Sequence, residues 1–289
     1  MGYNRAMLPK RMAAPPPTGI TATLLAAALL AAALLALGVP DDLHAGDLGR
    51  ARAIGFEAAR LAPPDLYRQL VRNHTSFALG LTPNEAQPPA PQGEKNPDGS
   101  GTLDQVVARR VQEAIAAIRQ HRPFNEVAYR LGRMAYQVSC LNDPLATDRS
   151  DPEEQRFAAD YHRYTASTRA RIRPVFYGFH PGPADRADRI DALVADALDR
   201  GRTLYPLIGR EYRRVGFASG VRTFDDRSTA YAVSALTYNH AISDVAEALR
   251  YIWIVAGGRD PRTDLPVRGG LLLPPSAAFP TREATLDRR

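Results

Sequence analysis

Residues 131–148, LGRMAYQVSCLNDPLATD, carry an apolar helical period with Tyr136 and Cys140 four positions apart, then a turn at Asn142-Asp143-Pro144. Side chains at i and i+4 share a helix face, so Tyr136 and Cys140 address one interior point. His240 and Asp244 repeat the spacing in a later helix, and Glu247 and Tyr251 continue that face. A histidine and an aspartate so placed have the spacing of a metal-ligand pair or an acid/base pair. The plainer reading is a solvated polar face, because the line lies roughly 200° around the helix from the apolar stripe Tyr238, Ile242, Val245 and Leu249. Cys140 and His162 together supply two donors, whereas a stable zinc site needs three or more from protein. His74, His121 and His180 sit in polar or loop contexts.

Composition narrows the chemistry. The chain has 289 residues, 45% hydrophobic and 24% charged, with a formal net charge of +6, values normal for a folded domain with a sizeable core. Its basic residues are almost all arginine, Lys10 and Lys95 being the only lysines. No arginine-rich run stands out, and no aromatics are interleaved in a basic stripe, so nucleic-acid binding is not expected. The single cysteine excludes an intramolecular disulfide and a Cys-rich zinc site.

The elements that must position these residues read as helices. Arg5, Lys10 and Arg11 precede an uncharged run, Ile20 to Val39, which is an export pattern. The run is long enough to span a bilayer. Residues 1–45 are therefore expected to be a signal peptide, cleaved after Ala45 or Gly38, or a retained anchor that holds the rest on the membrane outside the cytoplasm, in the periplasm or beyond. Helices are predicted over 48–61, 65–80 with a stop at Gly80, 102–120, 124–141, 152–173, 187–200 and 203–215. The last helix starts from a cap at Asp225, Asp226 or Ser228 and ends at Gly257-Gly258; its YIWIVA end, 251–256, is apolar all round and predicts deep burial. Residues 85–101 read as a loop and 259–289 as an irregular Pro/Arg-rich tail. The fold class is all-α, one multi-helix domain over 46–258.

The order of three short segments resembles the zinc-dependent phospholipase C / P1 nuclease family. RAIGFEAARLAPPDLYRQL at 52–70 is similar to its opening helix. LGRMAYQVSCLNDPLATD resembles its LG…H-x3-D…P-L-H helix and turn, and ADYHRYTAS its H-x3-E helix. The resemblance implies an all-helical fold around a trinuclear zinc site that hydrolyses phosphoric esters. Residue by residue, the implied ligands are mostly replaced. Tyr136 and Cys140 stand for His-x3-Asp, Ala146 for the histidine after Pro-Leu, Ala166 for the glutamate, Ala51 for the first helix's histidine and Asn84 for an early aspartate; His162 alone matches. No candidate cleavage site exposes the tryptophan that begins the family's mature chain. A retained framework of Leu131, Gly132, Asn142, Pro144 and Leu145 beside lost ligands suggests a scaffold without the zinc chemistry. On that reading Tyr136, Cys140, Ala146 and His162 line a degenerate site, no cofactor is bound, and the protein is a binding or structural module of unknown ligand. The alternative is a metal-dependent phosphoric-ester hydrolase with zinc on a rearranged set, His162, His240 and Asp244.

Overall fold

The computed structural model describes residues 42–82, 103–148, 150–262, 265 and 269–274. The apolar run 20–39, Asn84, the 85–101 loop and most of the tail lie outside the described residues. Those described are all-α. In chain order they form α1 (Asp42–Arg60), α2 (Pro64–Arg72), α3 (His74–Gly80), α4 (Leu103–Arg119), α5 (Phe124–Leu141), α6 (Pro144–Thr147), α7 (Ala158–Thr168), α8 (Arg189–Arg214), α9 (Gly220–Thr223) and α10 (Thr229–Val255). One minimal antiparallel ladder joins β1 (Val175–Phe176) to β2 (Leu271–Leu272), with Val175 opposite Leu272. The tail is thus not wholly irregular. Among the described residues no helix is long and apolar enough to cross a membrane. Helix α1 begins upstream of Ala45, so the first candidate cleavage position falls inside a helix.

Helix α10 is the hub, packing on α8, α1, α5, α4 and β1. Its predicted stripe of Tyr238, Ile242, Val245, Leu249 and Ile252 is buried throughout. Ser228 supplies the cap, its Oγ accepting the Tyr231 N–H at 3.1 Å. At the other end Gly257 takes φ 99°, and the Gly258 N–H returns to the Trp253 carbonyl at 2.8 Å, a left-handed termination that suits glycine. The YIWIVA end is less buried than its composition predicts: Tyr251 and Ile252 are covered, whereas Trp253 to Ala256 are half-buried.

Four expected helices are divided or fused differently. The 65–80 helix breaks at Asn73, whose backbone and side-chain N–H groups both reach the Gln69 carbonyl. Gly80 ends α3, as expected, and is also a close contact. A Cβ there would lie 2.2 Å from the Tyr129 carbonyl, and one on Gly132 would lie 2.3 Å from the Phe77 carbonyl, so α3 crosses α5 backbone to backbone. The 152–173 segment is α7 between short 3-10 turns at Glu154–Arg156 and Arg169–Arg171. Conversely, 187–200 and 203–215 are one helix, α8, with Pro206 inside it. Gly201 sits there because a Cβ would meet the Thr147 hydroxyl at 2.3 Å, letting α6 lie against α8.

A second, aromatic core joins α7, the later half of α8, α9 and the start of α10. Phe224 meets the rings of Tyr164 and Tyr212 edge-on at 5.3 and 5.0 Å. Asp160 ties it together, accepting from the Tyr212 hydroxyl at 2.7 Å and the Gly220 N–H at 2.6 Å.

Candidate functional site

The turn between α5 and α6 sends two neighbouring side chains to different partners. Asp143 caps α6 by accepting the Leu145 N–H at 3.0 Å, with Pro144 at the first helical position, where its missing N–H costs nothing. Its other oxygen meets His162 Nε2 at 3.0 Å, tying the turn to α7. Asn142 is buried and faces α10: Nδ2 donates to Asp244 Oδ2 at 2.8 Å, while Oδ1 accepts from Arg200 at 3.3 Å. Arg200, from α8, closes the triangle with a direct ion pair to Asp244. A buried carboxylate, a guanidinium and an amide thus satisfy one another, as a buried charge requires.

The line His240, Asp244, Glu247 and Tyr251 is not the solvated face that its sequence suggests. Asp244, Glu247 and Tyr251 are buried and His240 is half-buried. The covering layer is the segment 175–180. The Val175 N–H donates to Asn239 Oδ1 at 2.9 Å, the Tyr177 N–H to Ser243 Oγ at 2.9 Å, and the His180 N–H to Glu247 Oε2 at 3.0 Å. The fit is geometric: four helical residues rise about 6 Å, close to the roughly 6.6 Å of two extended residues. The second step, from Tyr177 to His180, spans three residues, with Gly178 at φ 90° between them. Glu247 also faces Arg189 Nε at 3.5 Å, both side chains being 1% exposed, and the His240 ring lies on Tyr177 with centroids 4.4 Å apart.

Electrostatics follow from this burial. Burial, reinforced by Arg200, lowers the His240 pKa to about 4, so the ring is neutral at neutral pH. Burial raises the Asp244 pKa against the opposing pull of Arg200 and Asn142. Asp143 is also disfavoured by burial, but His162 and the Leu145 N–H outweigh it and hold the carboxyl below its ordinary value. Hydrogen bonding to Glu247 raises His180, with Asp196 adding to it.

A shallow crease, too tight to admit a water molecule, lies beside the Asn142–Arg200–Asp244 triangle. Asn142, Arg200, Thr237 and His240 form its polar side, and Ala197, Gly201 and Leu204 of α8 its apolar side. Arg50 reaches the same wall from α1, donating to Thr237 Oγ1 at 2.9 Å.

The proposed site residues are placed as follows. Tyr136 and Cys140 are half-buried on α5 and Ala146 half-buried on α6; none of them, nor His162, lines the crease, whereas His240 does. His162 meets Asp143, His240 meets Tyr177, and Asp244 meets Asn142 and Arg200. Among the described residues, no group of three or more His, Cys, Asp and Glu side chains is placed to hold a metal ion. Sequence reasoning missed Asp143, Arg200, Arg50 and Arg189. Asp before Pro at a helix start is a readable cap signal; the three arginines carry no local signal at all.

Chemically, the triangle is a closed ion pair, and the Asp143–His162 pair, about a third exposed on each side, can hold a proton. A scan against protein-family models finds no match, and a search of curated proteins finds none either.

Proposed function

We propose that this chain is an exported or membrane-anchored helical module that binds a ligand or supports a structure without catalysing a reaction, built on a frame resembling the zinc-dependent phospholipase C / P1 nuclease family. The observation that carries the reading is the Arg200–Asp244 pair with Asn142. A buried carboxylate in a metal centre is offset by the cation it binds; here a guanidinium from the protein itself supplies that charge. Two family-like positions have structural work of this kind: His162 pairs with Asp143, the cap of α6, and Pro144 starts α6. Export rests on the basic residues and apolar run 5–39.

Metal analysis of the purified full-length chain, dialysed against excess zinc and then buffer, tests the reading. The expected result is well under one zinc per chain. About three tightly held zinc ions, as a trinuclear site requires, together with chelator-sensitive phosphodiesterase activity, would overturn it.

A further inference from the structure

We propose that His180 is a pH-operated latch: protonated, it closes the loop 178–182 over the buried carboxylate of Glu247, and deprotonated, it lets the loop open and admit water to that carboxylate. The latch is independent of what the module binds.

The loop has fixed ends and a movable middle. Before it, the Tyr177 N–H is held by Ser243; at its far end Arg189 Nη2 donates to the Gly182 and Pro183 carbonyls. Gly178 and Gly182 bracket it at φ 90° and 94°, where glycine turns the backbone without strain. Phe179 is anchored, its ring 4.9 Å from that of Phe176 and 4.5 Å from the Arg250 guanidinium. His180 joins the loop to both long helices. Its N–H donates to Glu247 Oε2 on α10 at 3.0 Å, its Nε2 meets Asp196 Oδ2 on α8 at 3.1 Å, and its Nδ1 lies 3.9 Å from Glu247 Oε2. A neutral imidazole carries one N–H and serves one carboxylate, whereas the imidazolium serves both.

Charge makes the proton matter. Glu247 and Arg189 are both 1% exposed and face each other at 3.5 Å; Glu247 Oε1 and Arg189 Nε have no hydrogen-bond partner among the described residues. Arg189 therefore compensates Glu247 incompletely, and a buried carboxylate in that state depends on further positive charge. The charged groups facing His180 are Glu247 and Asp244 of α10 and Asp196 of α8. Arg189 stands behind Glu247 and Arg200 behind Asp244, while Arg250, beside Phe179, is engaged by Asp260. With His180 protonated, Arg189, Arg200 and His180 balance Glu247, Asp244 and Asp196. Without that proton the cluster holds an uncompensated negative charge. Asp196, 57% exposed, keeps its charge in water; Glu247 reaches water only when the loop lifts.

The sign follows from the closed geometry. Glu247 and then Asp196 hold the His180 pKa above its ordinary value near 6.5, against the cost of burial. Closure is thus fully favoured below about pH 6.5 and is lost as pH rises through the closed-state value.

The test is amide hydrogen exchange of the full-length chain, read residue by residue by NMR from about pH 5.5 to 8.5 and corrected for intrinsic rates. The expected result is that protection of the His180 amide falls about tenfold as His180 loses its proton. The Tyr177 amide, whose acceptor is the Ser243 hydroxyl, and the amides of α5 keep theirs. His180→Gln, neutral at every pH, is expected to show low protection at position 180 throughout, with no pH step. Asp196→Asn removes one of the charges that hold the proton, and its step is expected at lower pH. No step at the wild-type His180 amide, an equal step at Tyr177 or in α5, or an undiminished step in His180→Gln would overturn the proposal. If His180→Gln does not fold, Asp196→Asn decides alone, and an unmoved midpoint in that variant overturns it.

Discussion

Asn142 donates a 2.8 Å hydrogen bond to Asp244 across 102 residues of sequence, joining the end of α5 to the middle of α10. The same Asp244 carries the ion pair with Arg200, so three elements meet on one buried carboxylate. Truncating either partner leaves that carboxylate short of compensation. Arg200→Met is expected to destabilise the protein by about 3 kcal/mol or more, because the charge stays buried without its cation. Adding Asp244→Asn to that variant should recover much of the loss. Urea unfolding of the two single variants and the double variant measures this; strictly additive losses would show that the two side chains do not act as a pair.

His240 makes stability fall on the acid side. Its folded pKa is lowered to about 4, below the ordinary value near 6.5, so the folded state resists the proton that the unfolded state takes up. The stabilisation is complete above about pH 6.5 and declines as pH falls toward 4, by up to roughly 3 kcal/mol at the low end. Asp244, whose pKa is raised, works in the opposite sense, binding its proton more readily when folded. His180, raised by Glu247 and Asp196, contributes stability that is lost as pH rises through its folded pKa. Denaturant midpoints measured from pH 4 to 7 should therefore decline toward acid in the wild type and decline distinctly less in His240→Gln.

Helices with an uninterrupted period were legible in the sequence, and contacts between distant helices were not. Phe124–Leu141 follows from its apolar spacing and flanking Pro123, and the start of α10 from Ser228. Gly80 ends α3 as expected, but its close packing on α5, like that of Gly201 on α6, was not legible, because glycine serves close packing as readily as termination. The polar face of α10 looked solvated because its partners come from distant elements: Asn142 and Arg200 on Asp244, the Tyr177 ring on His240, and Arg189 with the His180 N–H on Glu247. In the candidate site, Asn142, Asp143 and His162 lay in the segments already singled out, whereas Arg200 and Arg50 act across helices and had no local pattern to reveal them.

The α3–α5 crossing gives a sharp steric prediction. A Cβ on Gly132 would sit 2.3 Å from the Phe77 carbonyl and 2.9 Å from the Gly80 Cα, both rigid backbone atoms. Gly132→Ala must push the helices apart, and overpacking of this kind costs about 1–3 kcal/mol or more. Gly80→Ala forces the same separation, so the double variant should lose less than the sum of the two singles. Thermal unfolding of all three variants reads this out; a neutral Gly132→Ala would mean that the helices do not cross this closely.

Ser243 tests the contact between segment 175–180 and α10. Its hydroxyl accepts the Tyr177 N–H and itself donates to the Asn239 carbonyl at 3.0 Å, so Ser243→Ala removes one acceptor from a half-buried backbone donor. A buried donor left unmade costs about 1–3 kcal/mol. Because Asn239 and Glu247 still hold the segment on either side, the loss should be local rather than global. Hydrogen exchange is the suitable measurement: the Tyr177 amide should exchange markedly faster in Ser243→Ala, while amides in α5 change only by the global loss. Ser243→Thr keeps a hydroxyl at the same position and should restore protection. If the Tyr177 amide exchanges at the wild-type rate in Ser243→Ala, water or another group has taken the acceptor's place, and the spacing match between helix and strand does not hold the segment in position.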